Sequence, residues 1–89
     1  MAWTVEFDPA AVRQLGKLAK AEAVRIRNFL RDRVALLEDP RTLGQALQGT
    51  RFAGVWRYRV GDYRVLCQIQ DSRVVILVVA VGNRKDVYR

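Results

Sequence analysis

An α+β fold is what this sequence predicts: a helical hairpin packed on one face of a four-stranded, mostly antiparallel sheet, in the order β-α-α-β-β-β. Three observations carry that expectation. Residues 2–7 alternate apolar and polar side chains, the period of a half-buried strand. Residues 9–37 change to helical spacing. Residues 54–81 return to strand-like runs, interrupted at Gly61-Asp62 and Asp71-Ser72.

Trp3, Val5 and Phe7 alternate with Thr4 and Glu6 in the first strand. Asp8-Pro9 then supplies a helix N-cap followed by proline at the first helical position. Val12, Leu15 and Leu18 carry the first helix to about Leu18, with Gly16 weakening it. A longer helix is expected from Lys20 to Leu37, with Val24, Phe29, Leu30, Val34 and Leu37 in its apolar stripe. Arg25, Arg27, Arg31 and Arg33 lie on its other side as solvent-facing partners of Glu22, Asp32 and Glu38. Asp39-Pro40 stops it. Residues 41–52, with Gly44 and Gly49, read as a connection. Strands at 54–60, 63–70 and 73–81 follow, the first two joined by a two-residue turn. The last contains Val74 to Val81, apolar on both faces, and so belongs inside the sheet. No repeat or linker divides residues 1–89, which read as one domain.

The composition narrows the chemistry. The 89 residues carry a net charge of +7, with no histidine and one cysteine, Cys67. A zinc site of about four N/S ligands finds no ligands here, and histidine-dependent nucleophile systems are excluded. Neither a metal nor a cofactor is expected. A lone cysteine suits a reducing compartment. The N-terminus passes directly into Trp3-Thr4-Val5, and the longest apolar run is too short for a bilayer. A soluble, cytoplasmic protein without membrane contact is therefore the expectation. The charge is uneven. Residues 1–40 hold seven Lys/Arg against six Asp/Glu, whereas residues 41–89 hold nine against three. A domain so lopsided is expected to meet a polyanion with one face, and phosphodiester backbone is the commonest.

The turn at Gly61-Asp62 predicts which face. It pairs Val60 with Tyr63, Arg59 with Arg64, Tyr58 with Val65 and Arg57 with Leu66, and opposed residues share a face. Trp56, Tyr58, Val60, Tyr63, Val65, Cys67 and Ile69 then face the helices. Arg57, Arg59, Arg64, Leu66, Gln68 and Gln70 take the other side. Three arginines on one face of a hairpin repel each other, and a phosphate between them would relieve this. Arg84 and Lys85 follow just past the last strand. Arg51, Arg59, Arg73 and Arg89 are the further candidates for RNA or phosphate contact. Tyr88, flanked by Val87 and Arg89, is either a base-stacking residue or a C-terminal anchor. Cys67 is expected to be a small buried hydrophobe.

Trp56-Arg57-Tyr58-Arg59-Val60-Gly61-Asp62-Tyr63-Arg64-Val65-Leu66, then an apolar strand and Val81-Gly82-Asn83-Arg84-Lys85-Asp86-Val87-Tyr88, together resemble the RelE/ParE superfamily of bacterial toxins. The N-terminal strand, the hairpin ending in Asp-Pro, and Leu47-Gln48-Gly49 extend the resemblance nearly end to end. It implies the RelE-like fold and a cognate, neutralising, RelB-like antitoxin as partner. In the RelE branch it implies a ribosome-dependent endoribonuclease that cuts mRNA in the A site of the 70S ribosome. In the ParE branch the same fold poisons DNA gyrase. The functional positions of the RelE branch map onto Arg57, Arg64, Arg84 and Tyr88. Val55 stands where some RelE proteins have a second basic residue, and Asn83 where many relatives have histidine or lysine.

Metal-free RNA cleavage proceeds by attack of a 2′-hydroxyl on the adjacent phosphate. Arg57, Arg64 and Arg84 would supply donors for the developing charge. Lys85, the only lysine after Lys20, or Arg57 would help deprotonate the 2′-hydroxyl, and Arg84 would assist the leaving oxygen. A ParE-like gyrase inhibitor, and a weakly toxic antitoxin-binding module whose basic face holds an acidic or amphipathic segment, are the other two readings.

Overall fold

A computed structural model describes residues 2–48 and 54–83. Strand β1 (Thr4–Phe7) is followed by helices α1 (Pro9–Gly16) and α2 (Lys20–Phe29). A π-helical turn (Leu30–Val34) and a 3-10 turn (Pro40–Thr42) lead to β2 (Gln45–Ala46). Then come β3 (Val55–Val60), β4 (Tyr63–Gln70), a 3-10 turn (Asp71–Arg73) and β5 (Val75–Asn83). The fold is α+β, as expected. Among the described residues the sheet has five strands in the order β1-β5-β4-β3-β2, one more than expected. The extra strand, β2, lies in the stretch read as a connection. Two residues are too few to show a period, so nothing in the pattern betrays it. Among the described residues, no helix is long and apolar enough to cross a membrane.

Asp8 caps α1 as its sequence requires, its carboxylate accepting from the Ala11 amide at 3.0 Å, with Pro9 at the first turn. The buried stripe is Ala11 and Leu15 on α1 and Ala23, Ile26, Leu30 and Val34 on the second helical segment. Val12 (55% exposed) and Val24 (39% exposed) point outward instead. Alanine lets backbones approach closely, so the helices turn their alanines inward and shed the valines. The second helix also differs from the continuous α-helix expected to Leu37. After Phe29 it widens, the Ala35 amide donating five residues back to the Leu30 carbonyl at 2.8 Å. That extra residue per turn keeps both Leu30 and Val34 fully buried.

The β3–β4 pairing is the one the two-residue turn predicts: Val60↔Tyr63, Arg59↔Arg64, Tyr58↔Val65 and Arg57↔Leu66. Gly61 at that turn has φ +60°, a left-handed conformation that glycine adopts without strain. β5 lies between β4 and β1, and β1 runs parallel to it with Val5 opposite Ile76. The β4–β5 ladder contains a bulge. Leu66 pairs with Ala80 but Cys67 with Val78, leaving Val79 as the extra residue. Beyond it, Val81 returns to the core and Gly82 comes opposite Arg64. The last strand starts later than residue 73, because Val74 adopts φ 54°, ψ 46°, an unfavourable conformation for a β-branched residue.

Tyr58, Val60, Val65, Cys67, Ile76, Val78 and Val81 form the sheet side of the core. Trp56, Tyr63 and Ile69 pack on it half-buried. Burial pushes the Cys67 thiol well up from its ordinary pKa, which keeps it protonated and inert. One helix arginine finds its expected partner, Arg31 Nε bonding Asp32 at 2.9 Å. Arg25 reaches the hairpin tip, where a Cβ on Gly61 would lie 2.8 Å from its Nη1.

Candidate functional site

The face of β3 and β4 turned away from the helices carries Arg57, Arg59 and Arg64. Strand geometry places Arg57 and Arg59 about 7 Å apart along β3, with Arg64 about 5 Å across the ladder from Arg59. Like charges directly opposed in a sheet are destabilising. Fold stability alone therefore does not select this arrangement.

The three arginines sit in different environments. Arg59 is exposed and Arg57 half-buried. Arg64 is only 6% exposed, the one buried charged residue among those described. Its Nη1 donates to its neighbour's carbonyl, Tyr63 O, at 3.4 Å. Withdrawing a guanidinium from water costs several kcal/mol unless hydrogen bonds compensate. Arg59, Gly61, Asp62 and Arg64 line a small concavity of about 140 Å³ at the hairpin tip. Arg57 Nη2 donates to the side-chain oxygen of Gln45, which lies opposite it on β2. Leu66, opposite Arg57, and Val55, two residues before it, are buried on this side of the sheet and give the cationic groups an apolar floor.

Other expected contact residues fall elsewhere. Arg73 lies in the turn after β4, at the far end of that strand from Arg64. It donates to Gln70 at 2.8 Å and pairs with Glu6 at 3.4 Å. The structure does not bring it to the arginine face. Arg51, Arg84, Lys85, Tyr88 and Arg89 lie outside the described residues. Sequence reasoning missed Gln45 and Asp62. Asp62 was visible only as a turn residue, and Gln45 sits in a segment with no strand signal.

Among the described residues no group of acidic or cysteine side chains is placed to hold a metal ion. The remaining polar cluster is a brace. Arg41 bonds both oxygens of Asp71 at 3.1 and 2.5 Å and stands 6.0 Å over the Trp56 ring. Its hydrogen bond holds the Asp71 carboxyl below the usual carboxylate range.

A larger, mostly apolar groove of about 410 Å³ lies away from the arginines, between β1 and the second helical segment. Trp3, Val5, Phe7, Ala35 and Leu36 line it, with Arg27 and Arg31 at its rim. Its wall is apolar and its two guanidiniums stand at the edge rather than converging on one point. The arginine face is the candidate chemical site.

A family model described as the ParE toxin of type II toxin-antitoxin system, parDE, matches residues 5–88. Over 85 residues the chain is 31% identical to the mRNA interferase toxin RelE of Escherichia coli (strain K12), covering 96% of this chain and 86% of that one. It is 32% identical over 89 residues to toxin RelG of Mycobacterium tuberculosis, covering 100% and 99%. Among solved structures, a RelBE toxin–antitoxin complex from Mycobacterium tuberculosis contains a chain that matches with a TM-score of 0.85 at 28% identity, covering 97% and 95%. The intact RelBE toxin–antitoxin complex of E. coli gives 0.70 at 25% identity, covering 92% and 96%.

Proposed function

Because this chain belongs to the RelE/ParE superfamily of type II toxin–antitoxin toxins, we propose that it is a ribosome-dependent, metal-independent endoribonuclease that cuts mRNA in the A site and halts translation. The observation that carries the reading is the gathering of Arg57, Arg59 and Arg64 on one sheet face, with Arg64 buried.

The reaction these groups suit is internal transesterification. The 2′-oxygen loses its proton and bonds to phosphorus. The bond from phosphorus to the 5′-oxygen breaks, and that oxygen takes up a proton. A 2′,3′-cyclic phosphate and a free 5′-hydroxyl result. Arg64, fixed by burial, and Arg57, which bonds Gln45 among its contacts, stabilise the negative charge that grows on the phosphoryl oxygens. A well-aimed donor of this kind is worth roughly 3–4 kcal/mol. Arg59 steers the neighbouring backbone. Arg84, Lys85 and Tyr88 complete the site in this proposal, through leaving-group assistance, proton abstraction and base stacking. Arginine is a weak base near neutrality, so the ribosome contributes by aligning the 2′-hydroxyl with the phosphate.

The partner in this reading is a RelB-like antitoxin. β1 is an edge strand. Thr4 donates to the Val74 carbonyl just before β5 and Asp8 to the Val78 carbonyl on it, so the Val5 and Phe7 amides face outward. An amphipathic acidic segment can seat apolar side chains beside Trp3 and Leu36 and meet Arg27 and Arg31 with its carboxylates.

Primer extension on mRNA after induction, repeated with purified protein on programmed ribosomes, tests the activity. Cuts within the A-site codon and cyclic-phosphate ends are expected. The family model's ParE description and Val55 favour gyrase poisoning as a second reading. Covalent gyrase–DNA complexes with intact mRNA would establish that reading and end the first.

A further inference from the structure

We propose that Gln14 is a positioning residue, whose side-chain oxygen holds the Val81 amide and so fixes the end of β5 beside Arg64. The inference deepens the endoribonuclease reading above and rests on it. The contact is short, the Val81 amide donating to Gln14 Oε1 at 2.6 Å, and it ties α1 to a residue 67 positions further along the chain. Gln14 is half-buried and precedes the buried Leu15, which seats α1 on the core.

The sheet explains why an acceptor is needed there. The Val74 carbonyl just before β5 and the Val78 carbonyl on it accept from Thr4 and Asp8, so these positions turn their peptide groups toward β1. Phe7 and Val78 are the last pair of that ladder, because the chain leaves at Asp8 to enter α1. The surplus residue at Val79 brings Val81 into the same phase as Val78, with both side chains in the core. The Val81 amide therefore points at an edge that β1 no longer covers. A shielded amide left without an acceptor is costly, and Gln14 supplies the oxygen that a longer β1 would have supplied.

The pinned segment borders the site. Val81 pairs with Val65, and the next residue, Gly82, lies opposite Arg64. Arg64 thus stands between Arg59 on β3 and Gly82 on β5. A β5 end free to lift from β4 would shift the backbone on one side of Arg64. Arg84, assigned above to the leaving oxygen, follows two residues after Gly82. A misplacement of about 1 Å can cost a hundredfold in rate, so one fixed strand end serves both donors. Water would satisfy the Val81 amide without holding the strand. A side chain on α1, whose first turn is fixed by Asp8, does both.

Single-turnover cleavage of mRNA on programmed ribosomes tests this with Q14A, Q14L, Q14E and R64A, at a temperature where melting curves show each variant folded. Q14A and Q14L remove the acceptor and should lower the maximal rate on the order of tenfold, with little change in half-saturating concentration. Q14E keeps an acceptor oxygen at the same reach and should run close to the wild-type rate. In the wild type, the Val81 amide should exchange with deuterium as slowly as a paired strand amide. Wild-type maximal rates for Q14A and Q14L, or an equal loss in Q14E, would overturn the positioning role, while an impaired R64A would leave the ribonuclease reading standing. So would a Val81 amide that exchanges as fast as an unprotected one, a result that holds even if neither acceptorless variant folds. A wild-type rate for R64A would overturn both.

Discussion

The Tyr58 hydroxyl, buried beneath the helices, donates to the Pro40 carbonyl at 2.8 Å. It ties the middle of β3 to the turn that launches β2. Removing it as Tyr58→Phe strands a buried carbonyl and should cost about 1–2 kcal/mol. Urea unfolding measures this; an unchanged midpoint would show that the bond contributes nothing net.

Gly44 is the second half of that junction. Its Cα approaches the Tyr58 ring so closely that a methyl group must displace the ring or the strand. Gly44→Ala should destabilise by about 1–3 kcal/mol. Because the displaced strand pairs directly with β3 beside Arg57, cleavage should fall by more than the folded fraction does.

Arg64 and Arg59 separate by environment. Arg64→Ala should reduce cleavage by about 10²–10³. Arg64→Lys should not restore it, since an ammonium cannot present the same fixed fork of donors. Arg59→Ala, at an exposed position, should act mainly through binding and its salt dependence. Equal losses of maximal rate in both alanine variants would contradict this division.

Stability should fall on the alkaline side. Burial raises the Tyr58 phenol and the Cys67 thiol above their ordinary values of 10.0 and 9.0. Both groups therefore hold their protons more tightly in the folded chain. Their contribution is complete below about pH 9 and is lost as pH climbs beyond the unfolded values. Urea midpoints at about pH 7 and pH 10.5 should separate less in Cys67→Val and Tyr58→Phe than in the wild type. Parallel declines in all three would assign the alkaline limb to other groups.

Val74 occupies the left-handed region at φ 54°, where an L residue is disfavoured by roughly 1–2 kcal/mol. Val74→Gly should relieve most of that and stabilise by about 1 kcal/mol, read as a rise of several degrees in melting temperature. A lower melting temperature would mean that the side chain's packing near Trp3 and Leu36 outweighs the strain.

The sequence made the arginine face legible for a simple reason. A two-residue turn fixes pairing, and a period of two fixes faces, so Arg57, Arg59 and Arg64 follow from Gly61-Asp62 alone. The burial of Arg64 did not follow, because alternation assigns a side and not a depth. Helix rotation was misjudged at Val12 and Val24, since valine outranks alanine in hydrophobicity while alanine permits closer approach. The π-helical turn leaves no distinct signature in Leu30–Val34. β1 pairs parallel with β5, a strand about 70 residues away in sequence, and such a contact is fixed by the assembled core rather than by any local pattern.

The single surplus residue at Val79 has a geometric rather than a chemical duty. Excising it would regularise the ladder and leave Ala80 opposite Leu66 and Val81 in the core, whereas drawing it into regular pairing would send Ala80 and Gly82 inward and Val81 outward. What the bulge supplies is a local bend and added twist at the end of β5. The loss of Val79 would therefore alter the bend of the strand and not the side its neighbours face.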